Sequence, residues 1–285
     1  MMCHSKTTKL PENSSKTFLS QSDITELRLM DKFADFRKIS GNTLKMIALV
    51  TMLIDHIGAA VIAPLVEDDI LPVGMSFDTL NTIYKALRFI GRTSFPIFIF
   101  LITEGFIHTS NRLKYAASLL IFALISELPY DYAFYGKIDL ENSNVFITLF
   151  LALITLCGVD AVSNYFHKKN LNTTYAMFAS IIIILITSAA ASLLQSDYKC
   201  YGIFLAVIFC FFRPIFPLNI LAAYIVIASY STEWQSFPAF ILIFLYNQKQ
   251  GKKLGKYKYL LYAFYPAHLI ILYVTTLLIA GALSN

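Results

Sequence analysis

The chain has 285 residues, 57% hydrophobic and 14% charged, against about 25% charged in an average soluble domain, so water alone does not keep it in solution. Its formal net charge of +5 comes from basic residues scattered among loops, not from a basic stripe with interleaved aromatics, which excludes a nucleic-acid partner. Cys3, Cys157, Cys200 and Cys210 show neither CxxC nor Cys/His spacing and read as buried thiols, neither disulfides nor metal ligands.

Residues 1–22 are dominated by Ser, Thr, Lys and Asn and read as a disordered polar N-terminus. They are too polar for a cleavable signal peptide, so the first span is expected to act as its own targeting signal. In residues 23–40, Asp23 and Glu26 suggest a capping box. Ile24, Leu27, Met30 and Phe33 follow at helical spacing, which predicts an amphipathic helix lying on the membrane with Arg28, Lys32, Arg37 and Lys38 toward phosphates. Residues 41–285 form a single transmembrane helical domain. Apolar runs near 44–65, 86–107, 114–131, 145–164, 175–194, 201–212, 215–230, 234–247 and 259–282 predict an all-α, polytopic bundle of about nine spans, with eight as the alternative. The sixth and eighth are short, and the run before Arg213-Pro214 reads as a re-entrant segment or half of a broken helix.

The basic residues test this count. With the N-terminus in the cytoplasm, the inner loops hold Arg112 and Lys114, then Lys168 and Lys169, then Arg213, then Lys249, Lys252, Lys253, Lys256 and Lys258. The outer loops hold Glu67, Asp68 and Asp69, then Lys137, then Lys199, then Glu233. The expected location is a bacterial cytoplasmic membrane, with the bilayer as the chain's partner.

Ionisable residues inside spans are costly and therefore candidates for function. Asp55 and His56 lie just past the middle of the first span. Sequence neighbours diverge by about 100° on a helix, so the two span an interior face, one orienting a partner while the other handles a proton; the alternative is a buried interhelical ion pair. Arg88 and Arg92 are four residues apart and form a fork suited to phosphate or carboxylate, or else snorkel to headgroups. Glu104 and His108 can meet on one face as a solvated pair or a site. Glu127 and Asp131 flank Pro129 and repel unless a cation, a shared proton or an Arg intervenes. Asn144 opens the fourth span as a site residue or its N-cap, and His268 follows the kink at Pro266 near midplane depth.

These residues fall in ordered blocks: Leu44-Lys45 with Asp55-His56-Ile57-Gly58; Arg88-Phe89-Ile90-Gly91-Arg92 with Phe95-Pro96 and Glu104-Gly105; Ser126-Glu127-Leu128-Pro129-Tyr130-Asp131; Asn144 to Leu149; Asp197-Tyr198 with Tyr201-Gly202; and Tyr262 to Leu269. In them the chain resembles the TraX family of bacterial membrane proteins, named for a conjugative-transfer protein that acetylates the N-terminus of pilin. The resemblance runs from about Leu44 to the last span. It implies a multi-pass acyltransferase that takes acetyl-CoA from the cytoplasm and acetylates an amine or hydroxyl acceptor in or across the membrane. The pilin substrate is not carried over, because the family occurs in many bacteria without conjugation systems. On this reading His56 is the base, Asp55 its orienting partner and His268 the second candidate base. Arg88, Arg92, Glu104, Glu127, Asp131 and Asn144 bind substrate. Two other readings stand beside it: a proton-coupled transporter using Asp55, Glu104, Glu127 and Asp131 as a relay, and a non-enzymatic assembly factor for surface structures.

Overall fold

Within hydrocarbon every backbone amide and carbonyl must find its partner inside the protein, which a helix achieves one segment at a time. The computed structural model describes residues 33, 35–67, 72, 75–252, 255 and 257–283. Among the described residues it is helical throughout, with no strand and two isolated bridges, Ile39 with Tyr246 and Ser143 with Ser196.

The helices are α1 (Gly41–Glu67), α2 (Phe77–Gly91), α3 (Ser94–His108), α4 (Arg112–Tyr135), α5 (Val145–Lys168), α6 (Thr173–Leu193), α7 (Lys199–Phe211), α8 (Leu218–Ala228), α9 (Phe237–Phe244) and α10 (Tyr257–Leu283). Taking α2 and α3 together, six stretches are long and apolar enough to cross a membrane. The sequence predicts about nine crossings. The remaining three expected segments are helices of 13, 11 and 8 residues, the longest of which extends only about 20 Å at 1.5 Å per residue, short of the roughly 30 Å hydrocarbon core.

Local chemistry accounts for the boundaries. The side chains of Ser40, Ser76, Asn111, Asn144 and Asn172 each accept a backbone amide of the helix that follows. The second expected span is longer than its apolar run and is broken at Arg92–Thr93. Pro96 has no N–H for the Arg92 carbonyl, and its ring crowds that carbonyl, so the helix restarts there. In α1, residues Ile57–Ile62 widen into a π turn directly after His56. Thr276 Oγ1 of α10 donates to the Ala60 carbonyl in that turn at 3.0 Å, tying α1 to α10 at its irregular point.

The core lies along α7, whose Ile203, Leu205 and Ala206 are fully buried among α3, α5, α6 and α8. Gly202 permits this approach, because a Cβ there would lie 2.4 Å from Thr148 Cγ2 of α5. By contrast, α6 buries only Ser188 and Ala191 and turns Phe178, Ile182 and Ile186 outward, a face suited to lipid. Cys157, Cys200 and Cys210 are free thiols, Cys210 buried; Cys3 lies outside the described residues.

At the end of the bundle that carries Gly41, called here the basic end, Glu104 of α3 is 7% exposed. It pairs with Arg213 at 2.5 Å, accepts from Tyr246 Oη at 2.9 Å and lies 3.5 Å from His108 Nε2. The expected Glu104–His108 contact is thus part of a larger latch between α3, the α7–α8 turn and the end of α9. Of the expected disordered stretch and interfacial helix, residues 1–32 and 34 lie outside the described residues. Phe33 and residues 35–40 form a turn and an extended strap: Arg37 Nε donates to the Tyr246 carbonyl at 2.7 Å and its guanidinium covers the Phe216 ring. Arg37 therefore ties this strap to the end of α9 and the α7–α8 turn.

Removing one partner of a buried ion pair leaves the other charge uncompensated, at a cost of about 3–5 kcal/mol. Arg213→Ala is expected to lower the thermal unfolding midpoint in detergent strongly, and the double change Glu104→Gln with Arg213→Met to recover most of the loss. Equal midpoints for Arg213→Ala and the unmutated protein would refute the latch.

Candidate functional site

Two histidines from opposite ends of the sequence meet inside the bundle. His56 Nδ1 of α1 lies 2.7 Å from His268 Nε2 of α10, and His268 Nδ1 lies 2.8 Å from the carbonyl of Phe264 one turn earlier. A carbonyl only accepts, so His268 Nδ1 must carry a proton. With both rings neutral, His268 Nε2 then presents a lone pair, which His56 Nδ1–H fills. The chain of donors ends at His56 Nε2, which keeps its own lone pair. His268 has both nitrogens engaged, while His56 is only half-buried. Phe134 and Tyr265 pack in T-shaped contacts against the imidazole of His56, at centroid distances of 5.2 and 5.8 Å.

Asp55 does not orient His56. It turns the other way around α1 and pairs with Arg88 of α2 at 2.7 Å, as the 100° step between neighbours requires. This pair depends on Gly91: a Cβ there would lie 2.1 Å from Asp55 Oδ1, so the Arg88-Phe89-Ile90-Gly91-Arg92 block needs glycine at that place. Arg92, at the helix break, pairs with Glu233 at 2.7 Å and lies against Tyr198, whose ring stacks flat on Phe95. The two arginines expected to form one fork thus serve two different carboxylates. Asp55 Oδ1, Arg92 Nε and Glu233 Oε2 are buried without a hydrogen-bond partner, so this layer keeps unused polar capacity.

Glu127, Asp131 and Asn144 stand apart from the arginines. Asn144 caps α5, its Oδ1 accepting from Phe146 N at 2.9 Å. Its Nδ2 donates to the Ala123 carbonyl and to Glu127, and its backbone amide also reaches Glu127. Glu127 and Asn144 therefore lock the start of α5 onto α4. Asp131 is 1% exposed with Oδ1 unpartnered. Near it, in the loop between α4 and α5, Asp139 is held below the usual carboxylate range by hydrogen bonds from the Asn142 side chain and the Glu141 amide.

A cavity of about 720 Å³ opens at the basic end, within the usual range for small-ligand sites. Asn42, His108, Gln248 and Gln250 line its mouth; Lys45, Leu49, Met52, Tyr262 and Tyr265 line its walls; Val145 and Phe146 lie at its far end. Positions 45, 49 and 52 share one stripe of α1, and the next member of that stripe is His56. On α10 the stripe through 261, 262 and 265 continues to His268. Both histidines thus lie one turn beyond the cavity, and Tyr265 belongs to its wall and to the histidine shell at once.

Sequence reasoning missed Glu233, Arg213, Tyr198 and Tyr246 as partners of the buried charges. A signal for the first two exists: Glu233 is the sole charged residue between Arg213 and Lys249, and Arg213 the sole one between Lys199 and Glu233. A lone charge in a long apolar stretch needs a partner from another helix. Because Gly91 is the only backbone width that clears Asp55, Gly91→Ala is expected to destabilise the detergent-solubilised protein by about 1–3 kcal/mol, the usual cost of overpacking. An unchanged unfolding midpoint would show that Asp55 is not held against α2.

No solved structure matches the chain. A curated protein of Dichelobacter nodosus, "Probable fimbrial assembly protein FimC, serogroup H1", is 26% identical over 269 residues, covering 85% of this chain and 97% of that protein. The family described as TraX protein matches residues 40–276, which include α1 through most of α10, both histidines, the three buried arginine pairs and the cavity, and the chain therefore belongs to the TraX family.

Proposed function

We propose that this protein is an integral membrane acyltransferase, moving an acetyl group from acetyl-CoA to an amine or hydroxyl acceptor, with a role in assembling surface fibres. The observation that carries the reading is the alignment of a cavity open at the basic end with the His56–His268 pair one turn beyond it. His56 Nε2 takes the proton from the acceptor nitrogen or oxygen as that atom attacks the thioester carbonyl. The carbon–sulfur bond then breaks, the acetyl group stays on the acceptor, and coenzyme A leaves as a thiolate that takes up a proton. His268 supports the base by accepting its Nδ1–H, a role sequence alone assigns to Asp55. The name of the Dichelobacter nodosus relative supports a link to fimbriae, and the enzyme and assembly readings are compatible if the acetylated acceptor belongs to the fibre.

The reading includes an orientation. The basic end faces the cytoplasm, as the loop lysines and arginines favour, so the cavity opens where acetyl-CoA is found. It also includes nine topological crossings: α7, α8 and α9 run between the Arg92–Glu233 layer, at the start of α3, and the Glu104–Arg213 layer, about 15 Å further along that helix. A transporter relay fits less well, since Asp55, Glu104 and Glu127 are each bound to a separate partner.

Purified protein in detergent, incubated with labelled acetyl-CoA and a membrane extract, is expected to transfer label to an extract component. His56→Ala should lose at least a hundredfold in rate, the scale of general-base catalysis, and His268→Ala less. Full transfer by both variants would remove the pair from the mechanism; pH-gradient-driven uptake into proteoliposomes without acetyl-CoA binding would favour transport.

A further inference from the structure

Lys45 is the one cation on the cavity wall among the described residues that has no carboxylate or hydrogen-bond partner. It is half-buried on the buried stripe of α1, between fully buried Leu44 and Ala48. Glu104 lines the same cavity, but Arg213, Tyr246 and His108 already satisfy it. The unpaired positive charge is therefore left for whatever occupies the space, and its sign favours an anion.

Its position supplies a ruler. Lys45 precedes His56 by eleven residues on one face of α1, about 16.5 Å along the axis. Both side chains leave the same face of the helix, so the axial spacing sets the scale of the gap between them. Thirteen bonds separate the sulfur from the phosphorus of a phosphopantetheine arm, and an extended chain advances about 1.2 Å per bond, giving about 16 Å. The wall between the two residues is largely apolar, through Leu49, Met52 and Phe146, with tyrosines interspersed, matching an arm of methylenes broken by two amides.

We infer that Lys45 anchors the phosphate of a phosphopantetheine thioester whose acyl end lies at His56. The inference rests on the acyltransferase reading for its chemistry, but it makes a claim about binding that stands or falls separately. Coenzyme A and acyl carrier protein both present this group, and the two sources separate by experiment.

Isothermal titration of the full chain in nanodiscs, using coenzyme A, 4′-phosphopantetheine, pantetheine and phosphopantetheinylated acyl carrier protein, tests it. Coenzyme A and 4′-phosphopantetheine are expected to bind about tenfold or more tightly than pantetheine, the usual worth of a hydrogen bond to a charged group. Lys45→Met should remove that difference and Lys45→Arg preserve it, both with unchanged unfolding midpoints. Lys45-dependent binding of the carrier protein alone would support the same anchor and assign it to that source. Equal binding of pantetheine and 4′-phosphopantetheine, no binding of any phosphorylated probe, or unchanged coenzyme A affinity in Lys45→Met would overturn the inference and leave Lys45 reaching to the membrane surface. If acetyl transfer proceeds normally in Lys45→Met, the anchor fails while the enzyme stands. If no transfer occurs but phosphate-dependent binding needs Lys45, the enzyme reading fails while the anchor stands.

Discussion

An arginine held within this bundle has to be answered by a carboxylate from another segment, because several kcal/mol of lost hydration must be offset wherever water is excluded. Asp55 with Arg88, Arg92 with Glu233 and Glu104 with Arg213 meet that demand. The pairs join residues far apart in sequence, so they set which helices stand side by side. The first two gather at one level and the third nearer the basic end. Between the levels lies the apolar stack around α7, whose Gly202 allows the close packing against α5.

The histidine pair follows a different logic. It contains no fixed charge, and a run of ordinary hydrogen bonds beginning at the Phe264 carbonyl determines where its protons sit. Pro266 and the π turn of Ile57–Ile62 lie beside the two histidines on their respective helices. α1 is therefore irregular where it carries His56, and Thr276 of α10 fastens that irregular turn, while α10 stays α-helical through Pro266. Such departures from regular geometry are common where a helix must re-aim a side chain.

Much of this was legible in the sequence, for definable reasons. Apolar length reports on a single segment at a time, so the long helices, and the places of Asp55, His56, Arg88 and His268 along them, could be read directly. Asn144 could be read as a cap for the same reason. Partner choice is a property of two segments: the turn of Asp55 away from His56 toward Arg88 and the meeting of His56 with His268 depend on how α1, α2 and α10 are rotated against one another. The break at Arg92 is foreshadowed by Pro96 four residues later. The short helices were visible as short apolar runs, and their lengths follow from the separation of the two ion-pair levels, which no single run reveals.

The brevity of α9 bears on how the protein is made. Eight residues are too few for an insertion machinery that recognises segments of about 20 apolar residues, and α8 with eleven is little better placed. Both helices therefore depend on the longer ones for their place, and the Arg92 guanidinium that Glu233 neutralises in the turn between them marks that place. Loss of Glu233 would leave Arg92 uncompensated inside the bundle, at a cost of about 3–5 kcal/mol.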